Sequence, residues 1–397
     1  MLDEFDGAQI SHVAGLRLAG GAAARVVTAA DFAAAAAEIA GWEGYEPTPL
    51  MELAALAGAL GLAGVFYKDE ASRFGLGSFK ALGGAYAALR TLQRAVSEAL
   101  DRPVAPAEIR EGRHAALMSG IVLTTATDGN HGRALAWGCR RFGVSCRIYI
   151  HAGVSAARAA ALQALGADVV RIEGNYDDSV RLCREEAAAH GWFVVSDTSW
   201  SGHVDPPRDV MAGYGVMAKE ICDVLYRPPT HVCLQAGVGG LAAAVAAGLR
   251  QHWGGAAPRI VVVEPDRAAC LFESARAGGR TDIRIKEETL MAGLSCGEPS
   301  ALAWEILAEE AKDFLTVPDC LVGAAMRLLA RPLGQDPEIK AGESAVAGLV
   351  ALIAAARHEE LRSALGLDET SRVLLIGSEG ATDPERYAAL MAAGSEG

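Results

Sequence analysis

The chain has 397 residues, 51% of them hydrophobic, enough to bury the cores of roughly two to three domains. Its formal net charge of −13 disfavours nucleic acid and anionic membrane surfaces as partners, because both are bound through clustered cations. No run reaches the ~18 apolar residues of a membrane span, and the acidic opening MLDEFDGAQI lacks a basic segment followed by an apolar one. A cytoplasmic enzyme acting on a small molecule is expected.

Eight cysteines form no CxxC pair and match neither a zinc site nor a small disulfide scaffold, so reduced, mostly buried thiols are expected. Cys270 and Cys296 fall near segments assigned below to the site, and the sequence leaves open whether they meet. Thirty arginines stand against six lysines, which makes each lysine more informative than usual.

In chain order, apolar β-branched runs predict strands over 121–125, 146–150, 169–172, 193–196, 231–234, 260–263 and 373–376. Between them lie Ala-rich and amphipathic segments that read as helices. Strands alternating with helices predict an α/β fold with parallel sheets covered on both faces. Residues 102–113, with their prolines and charges, read as a surface loop or short helix. The paired prolines of SGHVDPPR at 201–208 read as a second interruption and a domain boundary. A smaller domain over 87–208, inserted into a larger discontinuous one over 1–86 and 209–397, follows from these breaks.

Four segments carry chemistry. In DEASRFGLGSFKALGGAY, from Asp69 to Tyr86, a glycine-bearing loop leads through Ser78, a potential cap, into a helix holding Lys80. A lysine in a first helical turn feels the positive end of the dipole, which favours the neutral amine that attacks an aldehyde. In VLTTATDGNHG an apolar strand runs into a turn bearing Asp128, Asn130 and His131, at the kind of strand end where α/β proteins bind ligands. An ordinary Asp-Gly turn is the alternative.

In HVCLQAGVGGLAAAVAAGL a strand, then Gly237, Gly239 and Gly240, then a charge-free helix make a cradle for a phosphate. The same glycines fit a dinucleotide fingerprint with Glu264 as the ribose-binding acid. That acid lies 27 positions after Gly237 rather than ~20, and an NAD-dependent oxidoreductase leaves Lys80 and Asp128 without a task. In VLLIGSEGATD a buried strand ends at Ser378, a hydroxyl able to meet a ring nitrogen.

SFK at Lys80, GNHG at Asn130, GVGG at Gly237 and the strand end at Ser378 together resemble, in that order, the fold-type II pyridoxal-phosphate enzymes. That resemblance implies two parallel-sheet α/β domains of the tryptophan synthase β and threonine dehydratase type. KDEASRFGLGSFKALGG, TTATDGNHG, SDTSW, LQAGVGG, MAGLSCGEPS and SEGATD resemble most the diaminopropionate ammonia-lyase family, from about Tyr45 to Tyr387.

The resemblance implies pyridoxal 5'-phosphate as cofactor and Lys80 as the Schiff-base lysine. Asn130 matches the contact to the cofactor's 3′-oxygen, Gly237, Val238, Gly239 and Gly240 match the phosphate loop, and Ser378 matches the group at the pyridine nitrogen. A hydroxyl there leaves the ring unprotonated, as elimination requires. Asp128 and Asp197 match two acidic residues that hold a cationic amine, where hydroxy-acid dehydratases usually carry serine at the first. The implied reaction releases ammonia and pyruvate from D- or L-2,3-diaminopropionate, with Asp128 as base for the D form and Lys80 for the L form. Serine, threonine and hydroxyaspartate dehydratases are the neighbouring alternatives in mechanism. Relatives are commonly homodimers, so a homodimer is expected, with no metal among the site residues and neither nucleic acid nor membrane as a partner. Residues 201–211 depart from the family pattern and bear on substrate choice.

Overall fold

A computed structural model describes residues 2–127 and 129–393. The strands are β1 (Ser11–Ala14), β2 (Leu50–Glu52), β3 (Gly64–Asp69), β4 (Val122–Ala126), β5 (Ser145–Ile150), β6 (Asp168–Arg171), β7 (Phe193–Val194), β8 (His231–Gln235), β9 (Arg259–Pro265), β10 (Ala311–Val317) and β11 (Arg372–Gly377). They form two sheets, each in its own compact unit.

The larger unit comprises 1–29, 46–79 and 217–397. Its sheet runs β1-β10-β9-β8-β11-β3-β2, parallel through the five central strands and antiparallel at both edges. Residues such as Val232, Leu234, Val262, Val263, Leu374 and Leu375 are almost wholly buried, as parallel strands covered on both faces require. The smaller unit comprises 30–45 and 80–216 and carries the all-parallel sheet β6-β5-β4-β7. It begins at Lys80 rather than at residue 87 and also takes in the segment 30–45.

The paired prolines make no break. A helix runs over Asp205–Val224 with Pro206 and Pro207 in its first turn, where a missing N–H loses no intrahelical bond, and the division between units falls inside this helix. The Pro-bearing 102–113 segment holds a short helix, Pro106–Arg110.

Within the smaller unit the Lys80–Leu100 helix packs closely on the Asn130–Phe142 helix. A side chain at Gly84 would lie 2.7 Å from Ala134 Cβ, so that approach needs a bare Cα.

Candidate active site

In the larger unit, the loop between β3 and residue 79 is held by buried charge. Arg73 donates to Glu70 at 2.8 Å and to both oxygens of Glu220 at 2.8 Å, and Lys68 donates to Glu220 at 2.5 Å. Two cations and two anions therefore compensate one another in a buried cluster, with bidentate guanidinium geometry offsetting desolvation. Removing one partner would strand a buried charge. Ser78 lies beyond this loop in an antiparallel bridge with Glu379, and the following helix starts at Lys80, so Ser78 is not its cap.

In the smaller unit, Lys80 Nζ donates to Asp197 Oδ2 at 2.5 Å and lies 5.9 Å from the centroid of the Tyr214 ring. Asp197 stands three residues past the end of β7. Burial alone would push its carboxyl up, but the Lys80 charge and hydrogen bond hold it well below the usual carboxylate range. Asn130 opens the Asn130–Phe142 helix, directly after β4 and its turn.

His131 is buried, with Nε2 at 2.9 Å from the Val195 carbonyl. A carbonyl only accepts, so Nε2 carries the proton and Nδ1 presents a lone pair, 4.0 Å from Asp197 Oδ2. Burial lowers the pKa of His131 and outweighs the opposing pull of Asp197, which keeps the ring neutral. Asp128 lies outside the described residues.

The glycine segment of the larger unit follows β8 and opens the Gly240–Trp253 helix. Gly239 has φ +97°, and a Cβ there would meet Ala303 at 3.1 Å and Leu271 and Leu307 at 3.2 Å. The first bond into the helix runs from Ala243 N–H to Gly239 O, which places the N–H groups of Gly240, Leu241 and Ala242 ahead of the intrahelical ladder. Val238 is fixed by its carbonyl, which accepts from Ser300 N–H at 2.9 Å.

Cys270 Sγ lies 3.6 Å from Gly237 O, and a Cβ on Gly237 would lie 2.9 Å from Cys296 Sγ. Both thiols thus face the same glycine, and they are not joined in a disulfide. Ser378 directly follows β11, is 3% exposed, and its Oγ accepts from Gln235 Nε2 at 2.9 Å.

Glu264, the acid of the dinucleotide alternative, is fully buried, and its two oxygens accept from Leu271 and Phe272 N–H at 2.9 and 2.6 Å. It caps the Cys270–Ala277 helix and has no oxygen to offer a ribose.

Helix N–H donors and bare glycines suit a phosphate, an amine suits an aldehyde, and a hydroxyl suits a ring nitrogen. That donor set fits pyridoxal phosphate, and the model of the pyridoxal-phosphate dependent enzymes matches residues 42–378. The chain belongs to that family, with the fold-type II architecture of parallel-sheet α/β units.

Among its relatives, it is 39% identical to the diaminopropionate ammonia-lyase of Escherichia coli strain K12 over 350 residues, which are 87% of either chain. Two crystal structures of the Escherichia coli diaminopropionate ammonia lyase each cover 98% of both chains. One, in complex with an aminoacrylate-PLP azomethine reaction intermediate, has a TM-score of 0.87 at 35% identity. The other, in complex with D-serine, has a TM-score of 0.88 at 34% identity.

Sequence reasoning named Lys80, Asn130, Asp197, the glycine segment and Ser378 as candidates, passed over Gln235 and gave His131 no task. The signal for Gln235 is a lone amide closing a strand whose preceding three residues are apolar, since a buried polar group must find a partner.

Proposed function

We propose that this protein is a diaminopropionate ammonia-lyase, which converts 2,3-diaminopropionate and water into pyruvate and two molecules of ammonia. The observation that carries this reading is the Asp197 carboxylate, half-buried, held ionised and already paired with an ammonium at 2.5 Å. A substrate with a second, cationic amine can take the place of Lys80 on that carboxylate. The hydroxyl of serine or threonine supplies no such charge. The similarity to ammonia-lyases over most of the chain supports the same substrate.

Pyridoxal phosphate, when bound, supplies an aldehyde carbon for an amine and a ring that draws the electron pair away from Cα. The chain supplies everything else. Lys80 is the amine, and its Nζ receives the Cα proton of the L substrate, whereas Asp128 takes that proton from the D substrate. Asp197 binds the β-ammonium and orients it to leave. Gly237, Val238, Gly239 and Gly240 would hold the cofactor's phosphate, Asn130 its 3′-oxygen, and Ser378 its ring nitrogen.

The D-serine complex of the Escherichia coli enzyme supports room for a D amino acid. No helix among the described residues is long and apolar enough to cross a membrane. A cytoplasmic homodimer completes the reading, and light scattering on the purified holoprotein checks its mass.

The deciding experiment measures ammonia and pyruvate release from D- and L-2,3-diaminopropionate, serine, threonine and β-hydroxyaspartate. Diaminopropionate should give the highest kcat/KM. A higher value for any hydroxy amino acid would make the protein a dehydratase.

A further inference from the structure

Gln235 lies at the end of β8, is fully buried, and meets two oxygens with one atom. Its Nε2 is 2.6 Å from the Ile376 carbonyl and 2.9 Å from Ser378 Oγ. The first contact settles the amide orientation, because a carbonyl only accepts and the group facing it must be the NH2. The opposite orientation would set two carbonyl oxygens against each other at 2.6 Å. This orientation holds although it leaves Gln235 Oε1 buried without a partner among the described residues.

The second contact then has only one polarity. An amide NH2 cannot accept, so Ser378 Oγ is the acceptor, and the hydroxyl proton of Ser378 is directed away from Gln235. The backbone at Ser378 is fixed as well, since its carbonyl accepts from Phe79 N–H at 3.0 Å. Ser378 is therefore held as a hydrogen-bond donor with its direction set from behind.

We infer that Gln235 is a positioning residue that commits Ser378 to donate, and thereby keeps the ring nitrogen of the cofactor an unprotonated acceptor. This rests on the proposed contact between Ser378 and that nitrogen. A glutamate in the same place reverses the polarity. Ionised, it only accepts. Protonated, its single hydrogen goes to the Ile376 carbonyl and its oxygen accepts from Ser378. Either way the Ser378 hydroxyl turns inward and presents a lone pair, which suits a protonated ring.

The test is nitrogen NMR of holoprotein loaded with pyridoxal phosphate labelled with 15N in the ring, alongside its absorption spectrum. In the native protein the ring nitrogen should resonate as a hydrogen-bonded free pyridine at neutral pH. In Gln235→Glu it should move toward the pyridinium range, with the cofactor still bound. A native pyridinium signal would overturn the inference without any variant, which covers a Gln235→Glu protein that fails to fold. An unchanged signal in the variant would overturn it too, while leaving the proposed function standing. A native protein that gives no visible band with pyridoxal phosphate would overturn both.

Discussion

Lys80 Nζ and Asp197 Oδ2 lie 2.5 Å apart, and His131 Nδ1 faces the same carboxylate oxygen from 4.0 Å. An ammonium, a carboxylate and a neutral imidazole thus share one partly enclosed place. Asp197→Asn keeps the shape and removes the charge. Its kcat/KM for diaminopropionate should fall by ~10²-fold, the usual worth of a charge-assisted contact at a reacting group, whereas the value for serine should fall much less. Steady-state kinetics on the two substrates check this, and equal losses would make Asp197 a structural partner of Lys80 alone.

Gly239 sits at φ +97° with three side chains within 3.2 Å of where a Cβ would stand. Gly239→Asp adds backbone strain of about 2 kcal/mol, along with a carboxylate where the phosphate is to bind. The dissociation constant for pyridoxal phosphate should rise by roughly thirty-fold or more. Fluorescence titration of apoprotein reads this directly, and native affinity in the variant would remove the loop from the cofactor site.

Burial raises the Glu264 carboxyl to about 8, against the pull of the two N–H groups that it caps. A group whose folded pKa stands above its unfolded one favours the folded state while protonated. Its contribution is complete below about 4.5 and is lost as pH rises through about 8. The native Tm should therefore drop as pH rises from about 5 to about 8 and level off above that, and Glu264→Gln should flatten that drop. Parallel melting curves for the two proteins measure it, and identical slopes would assign the loss to other groups.

The central strands were readable because β8, β9 and β11 are continuous apolar runs buried on both faces. The strands that escaped prediction are those whose charges are answered from far along the chain. Asp313 interrupts β10, yet it is buried because His12 pairs with it at 2.8 Å and Arg259 donates to it at 2.6 Å. Lys68 and Asp69 break the pattern of β3 in the same way, and the partner of Lys68 is Glu220. β1 and β2 are short edge strands, set by the neighbour they pair with rather than by their own residues. At the site, residue types and order were enough to propose Lys80, Asn130 and Ser378. Hydrogen-bond polarity, which sets the tautomer of His131 and the amide orientation of Gln235, exists only once the carbonyls of Val195 and Ile376 are placed.

Asp128→Asn should separate the two enantiomers of the substrate. With the carboxylate base removed, turnover of D-2,3-diaminopropionate should fall by ~10²-fold or more, and that of the L form less, because Lys80 still serves it. The kcat/KM of each enantiomer in the native protein and the variant checks the assignment. Equal losses would leave Asp128 an electrostatic group with no preferred face.

The most direct test of the account is the site of cofactor attachment. Holoprotein reduced with borohydride and digested should carry the phosphopyridoxyl group on the peptide containing Lys80. Lys68 is the nearest lysine in sequence, and it is committed to Glu220 in a buried ion pair. Mass spectrometry that finds the label on Lys80 alone is the predicted result, and a label on any other lysine, or none on the protein, would contradict the account.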